Sequence, residues 1–428
     1  MKGSLTVTPA EGAKVSRGEP PTVATRDLEQ HAHLIYRCLR PHTPFIKRDD
    51  GVYIAIRAAE VERLATDPRT RQMETEMAWS RGVTKGPLFE FFKNTMLFSN
   101  GAEHQRRRSP LTGAFAFDLI DALRPRIRAI ADELIDRTYA RGEMNLIYDY
   151  AAWLPARVIS EVLGLPAAEI PVFTRHAYTL SRALSSSFSR DDVPELEAAA
   201  EKMMRYADEL LQSRHSEPRD DFLTAYIVEL AESGTLSPIE ATMQIVAVIL
   251  AGSDTTRSAI AIQTSLLLQH REQWNALCED RRLISGAVTE CLRYEPSVAS
   301  FPRFTLGDIE IDGWKVPRHR VLSLSTLSAM RDPALYANPD RFDIARADHP
   351  RRHMAFGTGS HRCLGAMLAR VELEEALAAL ADRIPQMQLV GDAALVRGSG
   401  GIRTVDELQV RWDKSKNSLA EHAEQKRK

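Results

Sequence analysis

Cysteine is scarce in this chain. Cys38, Cys278, Cys291 and Cys363 are the only four in 428 residues, and no two of them form a C-x-x-C pair. A zinc cluster or a dithiol redox centre is therefore not expected, and sparse, unpaired thiols fit a reducing cytoplasm. An excess of one charge is also missing: 56 Lys and Arg stand against 58 Asp and Glu, a net of −2. No global field is available to attract nucleic acid or an anionic membrane. The N-terminal stretch has no apolar run of the kind that makes a signal peptide or a membrane anchor. Internal repeats, low-complexity linkers and Gly/Ser-rich joints are absent as well. One large domain is expected over residues 26–412, between a mobile arm (1–25) and a charged tail (413–428).

What is present is helix. Hydrophobic residues make up 44% and charged residues 27%, the balance of a globular protein with a sizeable core. Helical patterns dominate, and strand signals are confined to short runs at 44–48, 52–56, 308–311, 314–316, 320–325 and 408–412. The expected class is mainly α with small β-sheets. The clearest helix opens at Ser237-Pro238-Ile239-Glu240, which supplies an N-cap, a proline at the first helical position and a capping-box Glu. It runs without proline to His270 and is apolar on most faces, so a rod of roughly 48 Å must cross the middle of the molecule. The segment 331–350 carries prolines and charge, and should be irregular but tied down.

Four segments carry chemistry. Residues 356–365 read FGTGSHRCLG, placing Cys363 in a glycine-punctuated loop before a helical pattern. Taken alone, a cysteine near a helix is most often a small buried hydrophobe. Here His361, Arg362 and the helix start would favour the thiolate, which is a nucleophile or a metal ligand. Gly357, Gly359 and Gly365 leave room for a flat, bulky partner. Residues 251–256 read AGSDTT inside the long helix. They form either a solvent-facing patch or a widened turn in which a buried acid and an alcohol relay protons. His104 and Arg108, four residues apart, share a helix face and suit a carboxylate or phosphate, or else end a solvated helix. Glu290 and Arg293 form an i,i+3 pair, either at the surface or buried and joined by another Arg.

Together, and in this order, these segments resemble the cytochrome P450 family of haem-thiolate monooxygenases, over residues 43–412. Phe356, Gly359, Cys363 and Gly365 fit F-x-x-G-x-x-x-C-x-G. AGSDTT fits A-G-x-D-T-T, EHQRRR fits H-x-R-x-R, and Glu290 with Arg293 fits E-x-x-R. Arg341 in NPDRF matches the arginine that closes a Glu–Arg–Arg triad. The resemblance implies the cytochrome P450 fold and haem b with Cys363 as the iron ligand, whose thiolate donation favours O–O cleavage. It implies Phe356 and Gly357 against the ring, with His104, Arg108, Arg303 and His361 on the propionates. Asp254 and Thr255 would be the proton-delivering pair, with Ala251 and Gly252 leaving room for dioxygen. Glu290, Arg293 and Arg341 would be structural. Arg107 is expected to face solvent.

The resemblance also maps a substrate pocket onto Trp79, Leu88, Phe92, Met96, Phe98, Leu184, Val246, Leu250, Ala251, Val298, Ala299, Phe301 and Ile402. These residues are apolar, so a small apolar organic substrate is expected. Serines 185–187 read as an access lid. The implied activity is insertion of one atom of dioxygen, as hydroxylation or epoxidation, by a cytoplasmic monomer. A separate ferredoxin, or a flavodoxin, with a NAD(P)H-dependent reductase would supply electrons by docking on Arg106, Arg107, Arg362 and Arg370. A peroxide-driven peroxygenase, a non-enzymatic haem sensor and a haem-free scaffold are the competing readings.

Overall fold

A computed structural model describes residues 18–413 except 116–119, 121, 186–187 and 351–352. Most of the expected arm and tail, and Ser186 and Ser187 of the expected lid, lie outside the described residues. The arm's last residues are not free: Thr22–Val23 pair in parallel with Phe45–Arg48, and a helix begins at Thr25.

The long helix is Pro238–Gln269. Its capping box is complete, because the Ser237 side chain accepts from the Glu240 N–H while the Glu240 carboxylate accepts from the Ser237 N–H. By length and composition it could cross a membrane, but 78% of its most apolar window is buried inside the protein, so it is a core rod. The helices Trp153–Val162, Ile170–Ser181, Val193–Ser216 and Ala366–Arg383 pack around it. The backbone stays α-helical through AGSDTT, which corrects the expected widened turn. Thr255 and Ser253 each donate to the carbonyl four residues back, at 2.8 Å, and the helix absorbs both bonds without opening.

Glu240 also ties this helix to its neighbour. It accepts from Arg106 at 2.5 Å and from Arg107 at 3.0 Å, both on the helix Gly101–Ala114. These two cations and the Ser237 bonds hold its carboxyl down at about 2, against burial. Arg107 is only 3% exposed, which corrects its expected solvent position: one helix turn brings it back onto Glu103 and Glu240.

Small sheets flank the helical body. The largest has seven strands. In it the hairpin Phe45–Arg48 / Tyr53–Ala55 joins Val321–Ser325, which joins Val298–Thr305, which in turn pairs with Gly401–Ile402 and Thr70–Arg71. The hairpin Ile309–Ile311 / Trp314–Val316 stands apart. The mainly α class with small sheets, read from the sequence, is the class observed.

Candidate active site

The Cys loop is built by two tight turns, Met354–Phe356 and Gly359–His361. Gly357 and Gly359 have φ of +69° and +71°, which only glycine adopts freely. A Cβ on Gly359 would also lie 2.6 Å from the Thr66 side chain. The loop closes on itself when the Cys363 N–H donates to the Phe356 carbonyl at 2.8 Å. The helix Ala366–Arg383 follows.

Cys363 is exposed only in the sense that it faces an internal cavity of ≈ 350 Å³. On one side the cavity is bounded by the Cys loop and Leu364 to Ala369. Across from it stands one face of the long helix: Val248, Ala251, Gly252, Thr255, Thr256 and Ala259. Gly252 lets Ile159 approach closely there, since a Cβ would sit 2.3 Å from Ile159 Cδ1 and force that side chain to move. His104, Arg108, Arg303 and His361 border the same space.

The electrostatics of this cavity are unbalanced. Arg108 donates to the Arg362 carbonyl at 2.8 Å, and Arg303 to Gln72 Oε1 at 2.5 Å. Neither makes an ion pair with a carboxylate among the described residues. Burial pulls Arg303 down to about 10, His104 to about 4 and His361 to about 3. The two imidazoles lie 3.9 Å apart. Buried cations without a counter-anion are costly unless an anion arrives. The thiol points the same way. Burial pushes Cys363 up, against smaller lowering by the Gly365 N–H, Arg108 and Arg362. The neighbours expected to favour the thiolate do lower the group, though by less than burial raises it, and a coordinating metal cation would add to their effect. A flat ring carrying a central cation and two peripheral carboxylates answers both imbalances.

Asp254 does not share the cavity with Thr255. It is 4% exposed, accepts from Ser181 Oγ at 2.8 Å and pairs with Arg257 at 2.5 Å. Arg257 in turn lies 4.4 Å over the Tyr178 ring. One residue step on a helix turns a side chain by about 100°, and here the cavity-facing arc takes Thr255 and Thr256 while Asp254 falls on the side packed against Ser181 and Arg257. Sequence reasoning missed a second acid. Glu372 lines the cavity, is 1% exposed, and its Oε2 has no partner. Burial raises its carboxyl well above the usual carboxylate range, which favours the protonated form. The signal was available: Gly365, Leu368, Ala369, Glu372 and Leu373 follow i, i+3, i+4, i+7, i+8 from the Cys loop.

Of the expected pocket residues, Met96, Phe98, Leu184, Ala251, Val298, Phe301 and Ile402 line the cavity. Met77, Leu97, Phe115, Ile159 and Val248 join them. Leu88, Phe92, Val246, Leu250 and Ala299 are core residues, each at most 1% exposed. Val246 and Leu250 fall off the helix face that contains Val248, Ala251 and Thr255, and Phe92 packs on Phe91, Phe98 and Phe188. Trp79 is 56% exposed and borders solvent.

Behind the Cys loop, Glu290 and Arg293 make a fully buried bidentate pair at 2.6 and 2.8 Å. The expected third partner is corrected. Arg341 supplies only its carbonyl to Arg293, while its side chain is 72% exposed and turned to Asp343. Arg346, 6% exposed, is the arginine that reaches Glu290, at 3.3 Å. Arg346→Ala should therefore lower the unfolding free energy by about 2–3 kcal/mol, and Arg341→Ala by no more than ~0.5 kcal/mol. Equal losses in chemical denaturation would restore Arg341 to the triad. The expected docking patch also shrinks, because Arg106 and Arg107 are committed to Glu240 and only Arg362 and Arg370 stay near the Cys loop without a carboxylate partner among the described residues.

Comparison with known proteins agrees with this geometry. Residues 172–383 match the family model Cytochrome P450. The chain is 43% identical to Cytochrome P450-pinF1, plant-inducible, of Rhizobium radiobacter, over 93% of this chain and 94% of that one. It is 35% identical to Mycinamicin IV hydroxylase/epoxidase of Micromonospora griseorubida, over 76% and 81%. Among solved structures, CalO2 superposes with a TM-score of 0.84 at 30% identity, covering 91% of this chain and 97% of that one. This chain belongs to the cytochrome P450 family. Membership carries the monooxygenase class of oxidoreductase and a haem-thiolate cofactor.

Proposed function

We propose that this chain holds haem b on Cys363 and inserts one atom of dioxygen into a small apolar organic substrate, by hydroxylation or epoxidation. The observation that carries the reading is the single thiol at one side of a cavity edged by the buried Arg303 and the half-buried Arg108, neither paired with a carboxylate among the described residues. Arg108 and Arg303, with His104 and His361, would hold the propionates. Once bound, the haem supplies dioxygen activation, and its thiolate ligand favours O–O cleavage.

The residues around it have separate tasks. Thr255 Oγ1 donates to the Ala251 carbonyl, which fixes its position and leaves its lone pairs turned to the cavity. Glu372, whose burial favours the protonated carboxyl, stands at the cavity wall. Asp254, gripped by Arg257 and Ser181, sits one layer behind and reaches the cavity only if that ion pair opens. Met77, Met96, Leu97, Phe98, Val298 and Ile402 exclude water and offer no charge to a substrate. A relative named hydroxylase/epoxidase supports the reaction type. Electrons come from a separate ferredoxin, or a flavodoxin, with a NAD(P)H-dependent reductase, and the protein works as a cytoplasmic monomer.

The withdrawal of Asp254 from the cavity gives the peroxygenase reading one specific argument, since peroxide brings its own protons. The test is turnover of an apolar substrate panel with a ferredoxin–reductase system against peroxide alone. Turnover with electrons and little with peroxide is expected, and the reverse would overturn the monooxygenase reading. Thr255→Ala should cut product per electron consumed by roughly 10–100-fold while NAD(P)H oxidation continues, because positioned proton transfer is worth at least that much. Glu372→Gln, which keeps shape and removes the acid, should lower the same ratio and abolish the infrared band of a protonated carboxyl. An unchanged ratio would make Glu372 a space-filler.

A further inference from the structure

The turn at 398–401 reads Gly-Ser-Gly-Gly and leads directly into Ile402, which faces the cavity. Gly398 and Gly401 have φ of +100° and +66°. Three glycines in four residues make this the least self-ordered stretch of the pocket wall, since each loses maximal backbone freedom on folding. Its position must be imposed from outside: pairing with Val298–Thr305 holds the Gly401–Ile402 end, and the N-terminal helix holds the Gly398–Ser399 end.

That helix, Thr25–Leu39, bends at His31, where φ and ψ are −139° and 27°. On one side of the bend Glu29 grips the turn. Its Oε2 accepts from the Gly398 N–H at 3.0 Å, and its Oε1 accepts from the Ser399 N–H at 3.0 Å and from Ser399 Oγ at 2.6 Å. Hydrogen bonds to a carboxylate are about twice as strong as neutral ones. On the other side His33 Nε2 lies 2.6 Å from Glu295 Oε1. Glu295 pairs with Arg331 at 2.8 Å and also with Arg403, the residue after Ile402. Arg403 donates from Nε to the Gly398 carbonyl at 3.2 Å and from its N–H to the Ser297 carbonyl at 2.8 Å. Gly401 is further bridged to Ser185, at the start of the expected lid.

We propose that the N-terminal helix is a specificity element. Through Glu29 directly, and through His33 and Glu295, it fixes the 398–403 turn and so sets how far the pocket extends at Ile402. Glu29 and His33 are positioning residues that touch no substrate. The idea rests on the cavity being the haem and substrate pocket. It adds that ligands long enough to reach Ile402 are sorted by a helix outside the cavity, while short ligands are indifferent to it.

The test uses the haem-loaded full chain and N-alkylimidazoles from methyl to dodecyl, whose nitrogen ligates iron while the tail probes the wall. Glu29→Ala should leave the reduced-carbonyl spectrum and N-methylimidazole affinity unchanged and shift the dissociation constant of the long-chain members by roughly fivefold, what one hydrogen bond of ordinary net strength gives. Amide exchange at 399–402 should quicken in the same variant, and Ser399→Ala should show a weaker form of both effects. Unchanged exchange, or equal shifts for short and long tails, would overturn the clamp. Wild-type protein that binds no azole would instead overturn the haem reading, a distinguishable failure.

Discussion

Cys363→Ser should fold, and should lose both the thiolate-type reduced-carbonyl spectrum and all turnover above background. Folding is expected to survive because the loop is closed by the Cys363 backbone N–H on the Phe356 carbonyl, which serine keeps. Its shape is set by glycines at positive φ, which the substitution leaves alone. What serine lacks is a group that a buried cation can deprotonate and that donates electron density as sulfur does. Cys38, Cys278 and Cys291 lie outside the cavity lining and cannot substitute. A variant that kept its pigment and spectrum would remove the basis of the functional reading.

Glu290→Ala should be the most damaging structural change. Glu290 and Arg293 are both fully buried, and the carboxylate also accepts from the Asp343 N–H at 2.9 Å and pairs with Arg346. Removing it leaves the fully buried Arg293 guanidinium without its anion, while Arg346 keeps only Asp348, at 2.9 Å. Breaking a buried pair from one side costs about 3–5 kcal/mol, against a total stability of about 5–15 kcal/mol. The expected outcome is a protein with a much lower denaturant midpoint that releases haem, measured by urea unfolding and retention of the Soret band. A loss below ~1 kcal/mol would mean that water reaches the pair and that its burial is not the source of its strength.

Much of the architecture could be read from residue order because it rests on local rules. The capping box at Ser237, the absence of proline up to His270 and the turn dipeptides at Asp50-Gly51 and Asp312-Gly313 each determine their own element. The cavity's thiol and its edge cations were legible because the motif places them in a fixed spacing. What failed was everything decided by which side of an element faces which neighbour. Val246 and Leu250 belong to a stretch that the resemblance maps onto the pocket as a whole, whereas helical phase gives the cavity Val248 and Ala251. Asp254 and Thr255 match the family's acid–alcohol pair, but the helix turns Asp254 onto Ser181 and Arg257 while Thr255 lines the cavity. Arg341 and Arg346 lie five apart in an irregular segment with no period to say which turns inward. Glu372 looked like any Glu of an Ala/Leu-rich helix until its face was counted from Gly365.

Glu240 has a wider reach than its capping role. The same carboxylate that starts the long rod holds Arg106 and Arg107, and their helix carries His104 and Arg108 to the cavity's edge. The ceiling of the chamber and its cationic rim are thus bolted at one point remote from the sulfur. Neutralising that carboxylate should therefore loosen ceiling and rim together, although it lies far along the rod from the chamber.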